Sequence, residues 1–254
     1  MLSKSLLALA ASASGALAAT PSGFEPGSET SLLVTFGNVA ALDGAVVAKE
    51  STQTAPIIGT QSKLDGTSFA VMMIDLDIPT DSPPETNTLL HWMQTGLTQS
   101  SSAISLSTTL GSMTAFVFSV PQGEAALASY IGPAPPARIP LSHRYTEIVV
   151  DTSELSGEGL AALEAAAANR LGFNAESVLT SAGLADKVVA GNFFNVTNGA
   201  VSARTASNST TPGGNGTAPV TPPSQVPVPA AAVSLSVGAS LLATVMAGVA
   251  LFAL

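Results

Sequence analysis

Cysteine is absent from this chain of 254 residues, and charged side chains make up only 10% of it. Without cysteine, the fold cannot contain a disulfide framework, a thiolate zinc site or a cysteine nucleophile. Lysine and arginine number 8 against 17 acidic residues, which gives a formal net charge of -9. Binding to nucleic acid depends on clustered basic side chains that neutralise phosphates. Nucleic acid is therefore excluded as a partner.

The scarcity of charge is greatest at the two ends of the chain. Within residues 1–19 only Lys4 is charged, and an apolar stretch is followed there by the small-residue pattern Ala-Leu-Ala at 16–18. This order is typical of a cleaved secretory signal, and the apolar run is too short and too rich in alanine and serine for a membrane-spanning helix. We assign residues 1–19 to a signal peptide, with cleavage after Ala18 or Ala19.

The far end of the chain has a Ser/Thr/Pro/Gly-rich stretch at 202–229 and an apolar segment at 230–254. No charged side chain follows Arg204. A transmembrane helix of about 20 residues is normally followed by cytoplasmic lysine or arginine, and none follows here. A stalk with a glycosylphosphatidylinositol (GPI) attachment signal is therefore favoured over the alternative, a retained single-pass tail. The candidates for lipid attachment are Asn215, Gly214 and Gly213.

Three N-glycosylation sequons begin at Asn195, Asn208 and Asn215, which agrees with passage through the secretory pathway. At Asn215, glycosylation competes with use of the residue for lipid attachment. Together these signals predict a glycoprotein held by a lipid anchor at the outer face of the plasma membrane or in the cell wall.

The region between the end signals, residues 20–201, has the size of one domain with its own core, and we expect it to be a monomer. Apolar runs predict strands at 30–36, 44–49, 68–74, 114–120 and 145–150. Strong helical periodicity occurs only at 153–171, and a second short helix is predicted at 176–181. Strands followed by late helices favour a mainly β fold over βαβ alternation.

Residues able to carry chemistry lie in four short motifs, which read DLDIP at 75–79, LHW at 90–92, GPAPP at 132–136 and HRY at 143–145. Because residues two apart on a strand share a face, His143 and Tyr145 should point together. Arg144 should point away, into a structural ion pair. Imidazole and phenol groups, with backbone N–H groups at a glycine, are the donors that an anion requires. The motifs therefore predict an anion pocket.

In this order the four motifs resemble the pattern of the phosphatidylethanolamine-binding protein family (D-P-D-x-P, His-Trp, G-P-x-P-P and H-R-Y), and especially its secreted fungal members. The resemblance covers residues 30–197. It implies a large central antiparallel sheet with a smaller sheet and peripheral or C-terminal helices, and a pocket for phosphate-like or acetate-like anions. By position, the resemblance implies a pocket formed by Asp75, His91, Gly132, His143 and Tyr145 and shaped by Asp77, Pro79, Trp92 and Pro133.

The chain departs from the family pattern at the rim of this pocket. Leu76 replaces a proline, Thr80 stands where the family has arginine, and residues 140–142 before the second histidine contain no glycine. These changes affect ligand specificity more than the fold. We assign Asp77 mainly to a turn at the strand end, and Asp75 to fixing a histidine tautomer and raising that ring's pKa.

Two functions are consistent with these features. The first is a non-enzymatic cell-surface protein that binds a phosphate-like anion or a phospholipid headgroup and needs no cofactor. The second is a protein-interaction role, such as inhibition of a serine carboxypeptidase-type protease outside the cell or in the vacuole, as for some members of the family. The folded region lacks the G-x-S-x-G elbow of a serine hydrolase. We also do not expect Asp75, His91 and His143 to form a metal triad.

Anion binding by imidazolium groups should weaken as pH rises through the imidazole pKa, because the neutral rings have lost a proton and a charge. We expect inorganic phosphate to bind several-fold more tightly at pH 5.5 than at pH 8, as measured by isothermal titration calorimetry. An affinity that does not change between these two values would contradict the prediction.

Overall fold

Residues 19–198 are described in a computed structural model of the protein. The strands of this part are β1 (Leu33–Phe36), β2 (Val39–Ala40), β3 (Ile57–Thr60), β4 (Phe69–Pro79), β5 (Thr86–Gln99), β6 (Ile104–Thr108), β7 (Gly111–Ser119), β8 (Ser142–Asp151) and β9 (Val188–Thr197). Its helices are α1 (Gly157–Ala168) and α2 (Ala175–Ser181), with a short 3₁₀ turn at Lys49–Thr52. The predicted signal, stalk and anchor segments lie outside the described residues, apart from Ala19 at the edge of the first.

The strands pair into one large and one smaller antiparallel sheet. The large sheet has the order β5-β4-β8-β9, and the smaller has the order β2-β1-β3-β7. Two residue pairs between β5 and β7 join the sheets, and β6 extends β7 as a hairpin. Both helices lie between β8 and β9 in the chain. The mainly β fold with a large and a smaller sheet is thus confirmed.

The core lies on both faces of the large sheet, which explains the uninterrupted apolar run in β4. Val71 and Met73 point between the two sheets, whereas Met72 and Ile74 on the opposite face pack with residues of the helices. A strand buried on both faces has no polar face and cannot show apolar and polar alternation. Among residues 19–198, no helix is long and apolar enough to cross a membrane.

The predicted strands at 30–36, 68–74, 114–120 and 145–150 all overlap observed ones, and both predicted helices are present. The strand predicted at 44–49 is wrong. A tight turn with positive φ at Asp43 and Gly44 is present, but the following residues only run beside β9, where the Val47 amide donates to the Asn195 carbonyl. Val46 in this segment is 72% exposed, so its apolar character does not reflect a buried strand.

A glutamate is buried in the core on the face of β8 that also carries the pocket motif. Glu147 is fully buried and lies opposite Met73 of β4 and Asn192 of β9. Burial raises the pKa of this carboxyl to about 8, although Asn192 acts in the opposite direction. The side chain is therefore protonated in the folded protein at neutral pH.

The raised pKa of Glu147 links stability to pH. Between about pH 4.5 and pH 8 the unfolded chain has released this proton and the folded protein still holds it, so rising pH favours unfolding by about 1.4 kcal/mol per unit. The loss is complete above pH 8. We expect Glu147→Gln to remove this slope, so that the variant gains stability relative to the wild type as pH rises from 5 to 8 in urea denaturation.

The matched control is Glu154→Gln, since Glu154 is an exposed acid whose ion pair with Lys187 spans 3.1 Å at the surface. The free energy of unfolding of this variant should change with pH in the same way as that of the wild type. A Glu147→Gln profile that also runs parallel would contradict the prediction.

Candidate anion-binding site

One buried carboxylate, that of Asp75 in β4, lies at the centre of the predicted site. Its Oδ2 accepts a hydrogen bond from Nδ1 of His143 at 2.8 Å and lies 3.8 Å from Nε2 of His91. Its Oδ1 accepts from the backbone N–H of Asp77 at 2.8 Å. Asp75 and both histidines are at most 4% exposed. The structure thus brings together residues of three neighbouring strands, β4, β5 and β8.

Each histidine has its Nδ1 committed to an acceptor. In His91, Nδ1 lies 2.7 Å from the carbonyl oxygen of Ile131, and a carbonyl can only accept, so this nitrogen carries the proton. In His143, Nδ1 faces the Asp75 carboxylate in the same way. Both rings are therefore held in the Nδ1–H form, which leaves each Nε2 as the atom available to a ligand.

Both Nε2 atoms are buried and have no hydrogen-bond partner within residues 19–198. In a neutral ring, an Nε2 held in this way is an acceptor; when the ring is protonated, it becomes a donor. Orphaned polar atoms are rare in folded interiors and call for an explanation. A bound anion would accept hydrogen bonds from these two nitrogens once the rings are protonated.

The charge state of His91 differs from the expectation drawn from the sequence. Burial lowers the pKa of His91 below its usual value, and this effect outweighs the hydrogen bond to Ile131 and the negative charge of Asp75, which both raise it. The Asp75 carboxylate acts on this ring in the expected direction, but burial has the larger effect on its pKa. His91 reaches its donor form only at a pH below about 6.5 or when an anion stabilises the proton.

Tyr145 is fully buried, and its ring contacts the rings of both histidines. Its ring stacks on that of His143, with centroids 6.4 Å apart, and meets that of His91 edge-on at 5.1 Å. Burial and the neighbouring Asp75 carboxylate raise the pKa of the phenol, so it stays a neutral hydroxyl. His143 and Tyr145 share a face, as strand alternation predicts.

Asp77 and Arg144 form an ion pair beside the pocket. The carboxylate accepts from Nε and Nη2 of Arg144 at 2.8 and 2.7 Å and from its backbone N–H at 2.8 Å. Burial alone would raise the pKa of Asp77, but the hydrogen bonds and charge of Arg144 outweigh it and hold that pKa below its usual value. The turn role assigned to Asp77 belongs instead to Asp75, which accepts the Asp77 amide.

The other residues implied by the resemblance surround this cluster. Trp92 packs edge-on against Tyr130 with ring centroids 6.1 Å apart, and Pro79 ends β4. Pro133 is buried in the segment that follows Gly132. A Cβ at Gly132 would lie 2.7 Å from Oε1 and 3.0 Å from Cα of Gln53. The glycine is therefore required by its contact with Gln53, a residue that the sequence motifs do not include.

Other polar residues near the cluster have partners of their own. The hydroxyl of Ser142, next to His143 in the chain, accepts from Thr197 at 2.9 Å and faces away from the histidine cluster. In the part of the chain that the structure describes, no group of three or more acidic or histidine side chains has an arrangement suited to a metal ion. The sequon residue Asn195 lies in β9, where its side-chain amide donates to the Gly44 carbonyl at 2.6 Å.

An antiparallel β protein with a buried Asp-His-His-Tyr cluster at one end of its large sheet is the class that this fold and site define. A family model described as phosphatidylethanolamine-binding protein matches residues 31–194, more than half of the chain. The chain belongs to this family.

Comparison with known proteins gives one curated relative and several solved structures. Phomoidride biosynthesis cluster protein N of Talaromyces stipitatus is 33% identical over 190 residues, covering 69% of this chain and 88% of the relative. A carboxypeptidase Y inhibitor crystallised with its cognate proteinase is 19% identical, with 66% of this chain and 83% of that chain covered and a TM-score of 0.46. A phosphatidylethanolamine-binding protein from Plasmodium vivax is 17% identical, with 68% and 90% covered and a TM-score of 0.43.

The Asp77 ion pair should stabilise the strand ends that carry the pocket. We expect Asp77→Asn to lower the free energy of unfolding by about 1.5 to 3 kcal/mol at pH 7, because charge-assisted hydrogen bonds are lost at a buried carboxylate. The difference should shrink as pH falls below 3.8. The pKa of Asp77 is depressed, so its stabilisation is present above the ordinary value of 3.8 and disappears as pH falls through the folded value.

Asp81→Asn is the control for this change, because the ion pair of Asp81 with Arg138 spans 3.1 Å but its carboxylate is fully exposed. An exposed pair contributes little to stability, because water and salt screen its charges. Equal losses in the two variants, measured by urea denaturation, would argue against a special role for the Asp77 pair.

Proposed function

We propose that this protein binds a small phosphate-like anion, free or as the headgroup of a phospholipid, through Nε2 of His91 and Nε2 of His143. The observation that carries the proposal is the pair of buried, unpartnered Nε2 atoms on rings whose Nδ1 atoms are already committed. Family membership supports a binding role rather than a catalytic one. Tyr145 forms the floor of this site.

Proton uptake is the physical feature that would couple this binding to pH. An anion meets a negative carboxylate as well as two imidazoles, so its binding is favourable only if the rings supply positive charge. Because the pKa of His91 is lowered by burial, the anion has to bring a proton with it at neutral pH. Affinity should therefore rise as pH falls below about 6.5, in the direction predicted from the sequence.

We further propose that the binding takes place at the outer face of the plasma membrane or in the cell wall, with the protein held by a lipid anchor. Support for this location comes from the sequence patterns at residues 1–19 and 202–254. Inhibition of a serine carboxypeptidase-type protease is the alternative function, and it does not require the buried histidine pair.

The test is the binding of inorganic phosphate, and of sulfate, whose charge does not change over this pH range, to His91→Asn and His143→Asn. Asparagine places its amide near the position of Nδ1 and has no group at the position of Nε2. Each variant can therefore still donate to the Nδ1 partner, and the fold should be retained. We expect affinity at pH 5.5 to fall at least tenfold for each ion, as measured by isothermal titration calorimetry.

Arg138→Gln is the matched control, because it removes an exposed positive charge without touching the histidines. Its affinity should stay within twofold of the wild type. Phosphoethanolamine and vesicles that contain phosphatidylethanolamine then separate a headgroup from free phosphate. Unchanged affinity in both histidine variants would refute the proposal, and inhibition of a carboxypeptidase retained in them would favour the alternative function.

A further inference from the structure

One wall of the pocket is a proline-rich segment that cannot form a regular strand. We name residues 131–135, Ile-Gly-Pro-Ala-Pro, the lip. Pro133 and Pro135 have no backbone N–H and cannot donate to a neighbouring strand. Both are buried, so their carbonyl groups need donors from elsewhere. How the lip is held therefore depends on side chains.

Three side chains donate to alternate carbonyl oxygens of the lip. His91 Nδ1 donates to Ile131 at 2.7 Å, Gln53 Nε2 to Pro133 at 3.0 Å and Asn198 Nδ2 to Pro135 at 2.7 Å. The donors come from β5, from the end of the 3₁₀ turn and from the residue after β9. The lip is thus fastened at regular intervals to three separate parts of the fold.

The pocket beneath the lip is closed. His91 is 4% exposed, and the Nε2 atoms of both histidines are buried. An anion must come within about 3 Å of these atoms to accept a hydrogen bond. Part of the wall must therefore move before a ligand can enter. The strand β8, which carries His143, is paired with β4 and β9 on its two sides. Near His91, β5 is paired with β4 on one side and bonded to Ala128 and Ile131 on the other. Beyond Ile131, the carbonyl groups of the lip are held by side chains.

The Gln53 bond is the weakest of the three fastenings. Gln53 is exposed, and its Nε2 divides its two hydrogens between the carbonyl of Pro133 at 3.0 Å and that of Lys49 at a shorter 2.6 Å. The Ile131 end is reinforced by a backbone bond from its own N–H to the His91 carbonyl. When the middle of the lip moves away from Gln53, the bonds at Ile131 and Pro135 can stay in place. The bonds that break are that of Gln53 to Pro133 and that between the Ala134 backbone and Tyr145.

We propose that Gln53 is the latch of the pocket, a positioning residue that holds the lip over the two histidines and thereby sets the rates at which an anion enters and leaves. The absence of a Cβ at Gly132 lets the Gln53 side chain lie directly against the lip. The proposal rests on the proposed anion site for its purpose, but the opening of the lip can be measured without any ligand.

The chain contains only two histidines, and both lie under the lip, so their chemical modification reports its opening. Diethyl pyrocarbonate reacts with an unprotonated imidazole nitrogen only when the reagent can reach it. We expect Gln53→Ala and Gln53→Glu to react about fivefold or more faster than the wild type at both histidines, followed by mass spectrometry. The Glu variant keeps the shape of the side chain but cannot donate.

Gln99→Ala is the matched control, because Gln99 is a half-buried glutamine that also donates to a backbone carbonyl, that of Phe116, away from the lip. It should react at the wild-type rate. Circular dichroism melting of each variant verifies that the fold is intact. Unchanged histidine reactivity in folded Gln53 variants would overturn the latch.

Binding kinetics of inorganic phosphate give the second measurement. A latch changes kon and koff together, so both should rise about fivefold in Gln53→Ala while Kd stays within twofold of the wild type. A weaker Kd with an unchanged kon would mean that Gln53 supports the bound state only, and would also overturn the proposal. If phosphate fails to protect the wild-type histidines from the reagent, the proposed anion site fails, and the reactivity of the variants still decides whether the latch exists.

Discussion

The site depends on the hydrogen bonds of one buried carboxylate, that of Asp75. A buried negative charge is unfavourable unless it is hydrogen-bonded and faces positive or polar groups. Here one oxygen holds the turn at the end of β4 and the other fixes the tautomer of His143 and faces His91 and Tyr145. The same group therefore sets the path of the backbone and the orientation of one ring, and it is the negative charge that an anion in the proposed site would meet.

The two faces of β8 make different contacts at this end of the protein. His143 and Tyr145 point to the pocket, whereas Arg144 between them is tied to Asp77 on the other side. The cleft on that other side has a volume of about 410 Å³, and Arg144 lines it together with Ile74 and other residues. Alternation thus lets one short motif supply polar groups to the pocket and an ion pair that fastens the strand end.

The sequence predicted the parts of this protein that depend on local pattern. Strand alternation gave the shared face of His143 and Tyr145, and continuous apolar runs gave β4 and β8. The strand β5 was not predicted, because residues 90–94 are buried on both faces and the polar side chains of His91 and Gln94 stand among apolar ones with no simple alternation. Gln53 was not predicted, because its partner is a backbone carbonyl far along the chain, that of Pro133. Every residue has such a carbonyl, so the sequence does not mark this one as a partner. The lowered pKa of His91 depends on burial that only the folded structure reveals.

The position of Asn198 has a mechanical consequence. Its backbone N–H donates to the carbonyl of Leu141, and its side chain holds that of Pro135 in the lip. A pulling force on the chain beyond residue 198 would therefore enter the folded domain at the wall of the pocket, and the first bonds to carry the load would include one that keeps this wall in place. A load on Asn198 would thus act on the same segment that lies against the histidines.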